Sequence, residues 1–282
     1  MRSNQDNAMK MNNAAYQSFP AVSSHWLIDM LQSPAHCWRR HLDPARVIES
    51  SSDALRLGSL VHCLALTPNQ FGKEIQVLDT NRRTAFGRKI WNDVQAAGMV
   101  PVTPAERDKA RAIVAALKAH AEARNLLFHG KHERTIIQPR PAGLLPLKAR
   151  LDVHCEAKRL IVELKTTRDL GVIRASMERY RYPLSAAFYR DMVRGQATAF
   201  VFVQTTPPHD VEILDFPRAQ LEDGREQWKA ALRRFDDCWR RNDWPEAEPV
   251  PDMDDDPLMM PGTPLFQRGP ARFDLPVGEL AL

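Results

Sequence analysis

Apolar and polar positions along the chain change period twice, and the changes divide it into a helical first half, a strand-rich middle and a helical end. Near Val22 the pattern becomes helical: Trp26, Leu27, Met30 and Leu31 follow a cap at Ser23 or Ser24, and Ser33-Pro34 ends the run. A second helix is expected from about Ala54, capped by Ser52 or Asp53, to Leu66, with Leu55, Ser59, His62 and Leu66 on one stripe. Thr84 to Ala97 repeats the pattern through Phe86, Ile90, Val94 and Ala97, and Gly98 suits its end. Thr103, Pro104 and Glu106 then form a capping box with proline at the first helical position, opening a helix that should reach about Leu126.

From residue 134 the period shortens. Segments 134–138, 147–155, 159–167, 198–205 and 210–216 are short, rich in β-branched residues and bounded by Pro, Gly or charged turns, so they read as strands. An alanine- and aromatic-rich helix at about Leu184 to Arg194 separates the third strand from the fourth and is long enough for a crossover. The last helix, about 218–242, places Leu221, Trp228, Leu232, Phe235 and Trp239 on one face. Residues 1–19 are polar and aperiodic and are expected to be disordered. Residues 20–245 then form one α/β domain, and 246–282 a proline-rich acidic tail.

Charge sharpens this division. The chain has 282 residues and a formal net charge of +4. Residues 246–282 hold eight acidic and two basic side chains, so the tail carries −6 and the rest +10. A basic body suits a polyanionic partner, because Lys and Arg release counterions from phosphates. No apolar run approaches the 18 or more residues of a membrane span, and the polar opening lacks a secretory apolar run, so a cytoplasmic protein is expected. Cys37, Cys63, Cys155 and Cys238 are scattered with no CxxC pair, which argues for reduced thiols and against an iron–sulfur cluster or structural zinc. No GxxxxGK(S/T) loop occurs, so ATP use is not expected.

Candidate chemistry lies on the second and third strands. Alternation puts Lys148, Arg150 and Asp152 on one face of the second, and Glu163 with Lys165 on one face of the third. Unlike charges in an apolar strand form a structural ion pair, mark a solvated edge, or serve a ligand. The third reading gains weight because a hairpin turn at about Glu156 to Arg159 brings Asp152 beside Glu163. Two neighbouring carboxylates repel unless a divalent cation lies between them, and oxygen ligands of this kind suit Mg²⁺ or Mn²⁺. A lysine there can orient a water or neutralise a phosphoryl transition state. From its pattern alone, His62 is a core histidine as readily as a ligand.

Asp152, ten intervening residues and Glu163-Leu164-Lys165 resemble the PD-(D/E)XK nuclease signature. Further stretches resemble, in order, the RecE-type (exodeoxyribonuclease VIII) nucleases of that superfamily: SPAHCWRRHLDP (33–44), LRLGSLVHCLALTPNQF (55–71), RTAFGRKIW (83–91), VPVTPAE (100–106), KARLDV (148–153), IVELKTTRDL (161–170), YPLSAAFYRDM (182–192) and FVFVQTTPPHDVEI (200–213). The resemblance spans about residues 20–240. It implies a restriction-endonuclease-like core, a central mixed sheet flanked by helices, with an N-terminal helical part.

The implied activity is Mg²⁺-dependent, ATP-independent digestion of one strand of linear duplex DNA, 5′ to 3′, from its ends. The implied metal ligands are His62, Asp152, Glu163 and the backbone carbonyl of Leu164, with Lys165 activating the attacking water. Glu133, in the run KHER, is either an added metal-facing carboxylate or a surface one. Arg150, Arg168, Tyr189 and Ser185 are the implied DNA contacts, although Ser185 stands where the family has a glutamine. The implied partners are a single-strand annealing protein and further copies of the chain in a trimeric or tetrameric ring. An endonuclease of the same superfamily and a catalytically silent DNA-binding module remain as alternatives.

Overall fold

The computed structural model describes residues 8, 9, 11, 13–46, 52–195 and 197–246. Beyond Glu246, the tail expected from the sequence lies outside the described residues. A two-residue strand, β1 (Ala8–Met9), and a helix, α1 (Asn13–Ser18), precede the first long helix. This corrects the expectation of disorder for those residues. The cause is a long-range anchor: Lys148 Nζ donates to the carbonyls of Tyr16 (2.8 Å), Gln17 (3.2 Å) and Phe19 (2.8 Å). These carbonyls would otherwise be left at a helix end without donors.

Ser33 does more than end α2 (Ser24–Gln32), because its hydroxyl accepts from the His36 N–H at 3.0 Å and so starts α3 (Pro34–His41) with proline at the first position. Next come α4 (Asp53–Leu66), the single turn α5 (Phe71–Glu74), β2 (Ile75–Val77), α6 (Ala85–Ala96) and β3 (Val100–Val102). β2 and β3 form a small parallel ladder of their own, which the sequence pattern did not indicate. The expected stripe of α4 is rotated. Its inner side carries Arg56, Leu60, Val61 and Cys63, and Arg56 reaches Glu106 at 3.0 Å, which turns Leu55 outward to 65% exposure. Phe86 is likewise outside on α6, where Trp91 is the buried aromatic.

Both halves of the capping box at Thr103 and Glu106 are present and open α7 (Pro104–Ala119). The helix expected to continue to Leu126 breaks at His120, whose extended backbone and ring nitrogen cap α8 (Ala121–Leu127).

The strands follow: β4 (Lys131–Gln138), β5 (Leu147–Cys155), β6 (Leu160–Thr167), then α9 (Ile173–Arg179) and α10 (Tyr182–Val193), then β7 (Ala197–Gln204), β8 (Val211–Leu214) and α11 (Arg218–Arg241). They form a mixed sheet in the order β1-β4-β5-β6-β7-β8, antiparallel except for the β6–β7 pair. The crossover that parallel pairing requires is supplied by α9 and α10. The fold is therefore α/β, a central mixed sheet flanked by helices.

One core cluster joins Ala149, Leu151 and Ile161 of the sheet to Leu184, Phe188, Trp228 and Phe235 of α10 and α11. The two helices meet at Gly224, where an added Cβ would lie 2.5 Å from the Pro183 carbonyl oxygen. Helix propensity favours alanine over glycine by about 1 kcal/mol, but here the obstacle is backbone, which has no rotamer to yield. Gly224→Ala is expected to lose about 1–3 kcal/mol net, read as a lower midpoint in thermal unfolding. A raised midpoint would show that the helices are not in close contact there.

Candidate active site

β5 and β6 pair only at Val153–Val162, His154–Ile161 and Cys155–Leu160, next to their connecting turn, whereas β6 and β7 pair along all of β6. Beyond Val153 and Val162 the two strands part. The Asp152 carboxylate takes the place of the missing main-chain acceptor: its Oδ2 accepts from the Leu164 N–H at 2.8 Å. Its other oxygen, Oδ1, faces His62 at 3.5 Å.

On the other side of β5, the ladder with β4 runs through His132–Val153 and Arg134–Leu151 but skips the pair between them, Glu133 and Asp152. Glu133 has φ 48°, a left-handed conformation that L-residues adopt at a cost of about 1–2 kcal/mol. The surroundings hold it there: Arg150 Nε donates to Glu133 Oε2 at 2.5 Å, and Arg150 also donates to the Met11 carbonyl at 2.9 Å. From α4, His62 brings Nδ1 to 3.5 Å from Asp152 Oδ1 and 3.9 Å from Glu133 Oε1. Among the described residues, His62, Glu133 and Asp152 thus present three ligand atoms all within 4.8 Å of one another.

Glu163 and Lys165 sit beside this group. Lys165 Nζ is 2.9 Å from Glu163 Oε2 and 3.9 Å from Asp152 Oδ2. Glu163 is 4% exposed, and its second oxygen, Oε1, is buried with no hydrogen-bond partner. A buried carboxylate oxygen without a donor costs free energy that a cation would recover.

The charges are strongly coupled. Burial pushes the Glu163 carboxyl up to about 7, and the Asp152 charge adds to this against the pull of Lys165. For Asp152 burial acts in the same direction, but His62, Lys165 and the Leu164 N–H outweigh it and hold the group at about 2. Burial would lower His62, yet Asp152 and Glu133 raise it to about 10. Lys165, despite burial, is held above the ordinary lysine range by Glu163 and Asp152. Without an added cation, a histidinium and an ammonium are thus the counterions of this acidic opening. Oxygen and imidazole donors, an unpartnered carboxylate oxygen and no thiolate in the set fit a hard divalent cation such as Mg²⁺ or Mn²⁺.

Of the residues singled out in the sequence, His62, Glu133 and Asp152 converge, and Glu133 is a half-buried member of the cluster rather than a surface carboxylate. Glu163 is paired with Lys165 rather than included in the three-atom group. The main-chain contact that Leu164 makes with the cluster is through its N–H. Two of the four expected DNA contacts are engaged within the protein and a third is buried. Arg150 is engaged by Glu133 and Met11; Tyr189 is 8% exposed, and its hydroxyl accepts from Ser24 at 3.3 Å; Ser185 is 8% exposed within α10. Arg168 alone is on the surface. The sequence reading missed Tyr16, whose buried ring lies under Lys148 Nζ (4.9 Å to the centroid) and near Arg150 (5.8 Å). Its only signal was an aromatic, with Phe19 three residues on, in a polar stretch.

Comparison with known proteins agrees with this geometry. The family model described as a PDDEXK-like domain of unknown function (DUF3799) matches residues 23–249. A comparison with curated proteins gives no match. Among solved structures, a protein from Eubacterium rectale assigned by name as an exonuclease aligns with a TM-score of 0.58 at 14% identity, covering 86% of this chain and 92% of its own. A phage-related exonuclease from Haemophilus somnus aligns with a TM-score of 0.36 at 13% identity, covering 79% of this chain and 96% of its own. Only the first score is high enough to speak for a shared fold.

Proposed function

Because the chain belongs to the PDDEXK-like domain family, we propose that it is a divalent-metal-dependent, ATP-independent DNA exonuclease of the RecE type. It would degrade one strand of linear duplex DNA, 5′ to 3′, to expose single strands for annealing. The observation that carries this reading is the opening between β5 and β6, where Asp152, Glu133 and His62 converge beside the Glu163–Lys165 pair. The exonuclease name of the Eubacterium rectale protein with the same fold agrees with it.

In this reading Asp152, Glu163, His62 and the Leu164 carbonyl, joined by Glu133, hold Mg²⁺ or Mn²⁺. The bound ion supplies Lewis-acid stabilisation of phosphoryl charge and lowers the pKa of a water. Lys165 keeps its proton, because two carboxylates face it, and so offers a fixed positive charge and a donor to the attacking water or a phosphate oxygen. Asp152 fixes the β6 backbone through the Leu164 N–H and so holds Glu163 and Lys165 in register with itself. Arg150 holds Glu133 in its left-handed conformation and acts as a positioning residue. A trimeric or tetrameric ring around DNA and a single-strand annealing protein as partner complete the proposal.

The test uses the purified full chain with blunt linear duplex DNA and Mg²⁺, and closed circular DNA as control. Nucleotide release from the linear substrate alone, abolished by EDTA, is the expected result. Cutting of the circle would assign an endonuclease instead, and release from neither would overturn the enzyme reading.

No helix among the described residues is long and apolar enough to cross a membrane.

A further inference from the structure

Of the four tyrosines, Tyr180 is the exposed one, at 51% of its surface. It is not an isolated surface ring. Tyr180 stacks on Tyr182 with centroids 5.9 Å apart and planes at 25°, and Tyr182 stacks on Phe200 at 5.5 Å and 22°. Phe200 in turn lies 6.0 Å from Lys165 Nζ. A ladder of aromatic faces therefore leads from solvent to the lysine of the candidate active site.

The backbone is distorted to make this arrangement. Tyr180 follows the last residue of α9 and Tyr182 is the first of α10, and the residue between them, Arg181, has φ 53°. A left-handed arginine is unfavourable and persists only where its surroundings enforce it. Here it reverses the chain so that two tyrosines separated by one residue come face to face. Tyr182 stacks on Tyr180, and the exposed Arg179 guanidinium lies over the Tyr180 ring, 5.7 Å from its centroid. The ladder thus ends in a half-exposed ring overlaid by an exposed cation, which an entering base would displace toward its own phosphate, and it starts at another cation, Lys165. An unpaired nucleotide strand offers both partners, a base for the ring and phosphates for the cations. In a closed duplex the base faces are already stacked on one another.

We propose that Tyr180, backed by Tyr182, is a stacking site for an unpaired nucleobase on the strand that passes the Glu163–Lys165 pair. The proposal deepens the nuclease reading and rests on it for the identity of the ligand. A single strand held here is the form in which the substrate enters or leaves the opening between β5 and β6.

A single-stranded oligonucleotide carrying 2-aminopurine, titrated with the full chain in EDTA so that no hydrolysis intervenes, reports stacking as quenched fluorescence. The unmodified protein should quench. Tyr180→Ala should weaken binding about tenfold and abolish the quench, whereas Tyr180→Phe, which keeps the ring, should retain both. The exposed position makes the alanine variant compatible with folding, checked by circular dichroism. Equal binding and quenching by the alanine variant, or no quench by the unmodified protein, would overturn the proposal. Cleavage of linear duplex is measured in parallel. Quenching without cleavage would sink the nuclease reading and leave the stacking site, and cleavage without quenching would do the reverse.

Discussion

Lys165→Ala should lower DNA hydrolysis by about 100- to 1000-fold while leaving the protein folded. The size follows from position: Nζ is a fixed cation within 3.9 Å of both Asp152 and Glu163, in a site where burial strengthens each interaction. Folding should survive because the carboxyl left behind takes up a proton readily: burial and Asp152 push Glu163 up to about 7 even against the pull of Lys165, and the substitution removes that pull. Removing one partner of a buried pair usually costs several kcal/mol, and protonation of Glu163 relieves much of that cost. Rates on linear duplex, with circular dichroism as the folding control, decide the matter. Activity within tenfold of the unmodified protein would remove Lys165 from the reaction.

Asp152→Asn should have the second large effect, a fall of about 1000-fold, equivalent to about 4 kcal/mol in activation free energy. Asparagine can still accept the Leu164 N–H, so the link between the parting strands persists while the negative charge is lost. The substitution therefore separates the two roles of the aspartate. A second measurement isolates the cation: Mn²⁺ at roughly 100 times its Kd should raise the unfolding midpoint of the unmodified protein by about 5–10 °C. Asp152→Asn should show little of this rise. An equal rise in both would place the cation elsewhere.

The sequence made the carboxylate pair legible because strand alternation and a short hairpin leave few ways to arrange Asp152, Glu163 and Lys165. His62 required the family resemblance, since a histidine on a helix stripe does not reveal what faces it. The same ambiguity misplaced Leu55 and Phe86: a helical period fixes which residues share a face, but partners such as Glu106 decide which face turns inward. Other features arise from contacts distant in sequence. Nothing local announces that Lys148 will order residues 16–19, or that Arg150 will hold Glu133 in a left-handed conformation. The break at His120 was hidden because histidine is an uncommon cap and the apolar period continues through it.

The sheet topology also has a consequence for the order of assembly. Asp152 and Glu163 lie on a hairpin, close in sequence, and such contacts form with little loop-closure entropy. The β6–β7 pair is parallel and must wait for the α9–α10 crossover to be traversed. Until β7 and α10 dock, the Glu163 carboxylate is hydrated and carries no burial cost. The electrostatic tension at Glu163 is therefore incurred late, after the chain has committed to its topology, whereas His62, Glu133 and Asp152 all precede β7 in the chain.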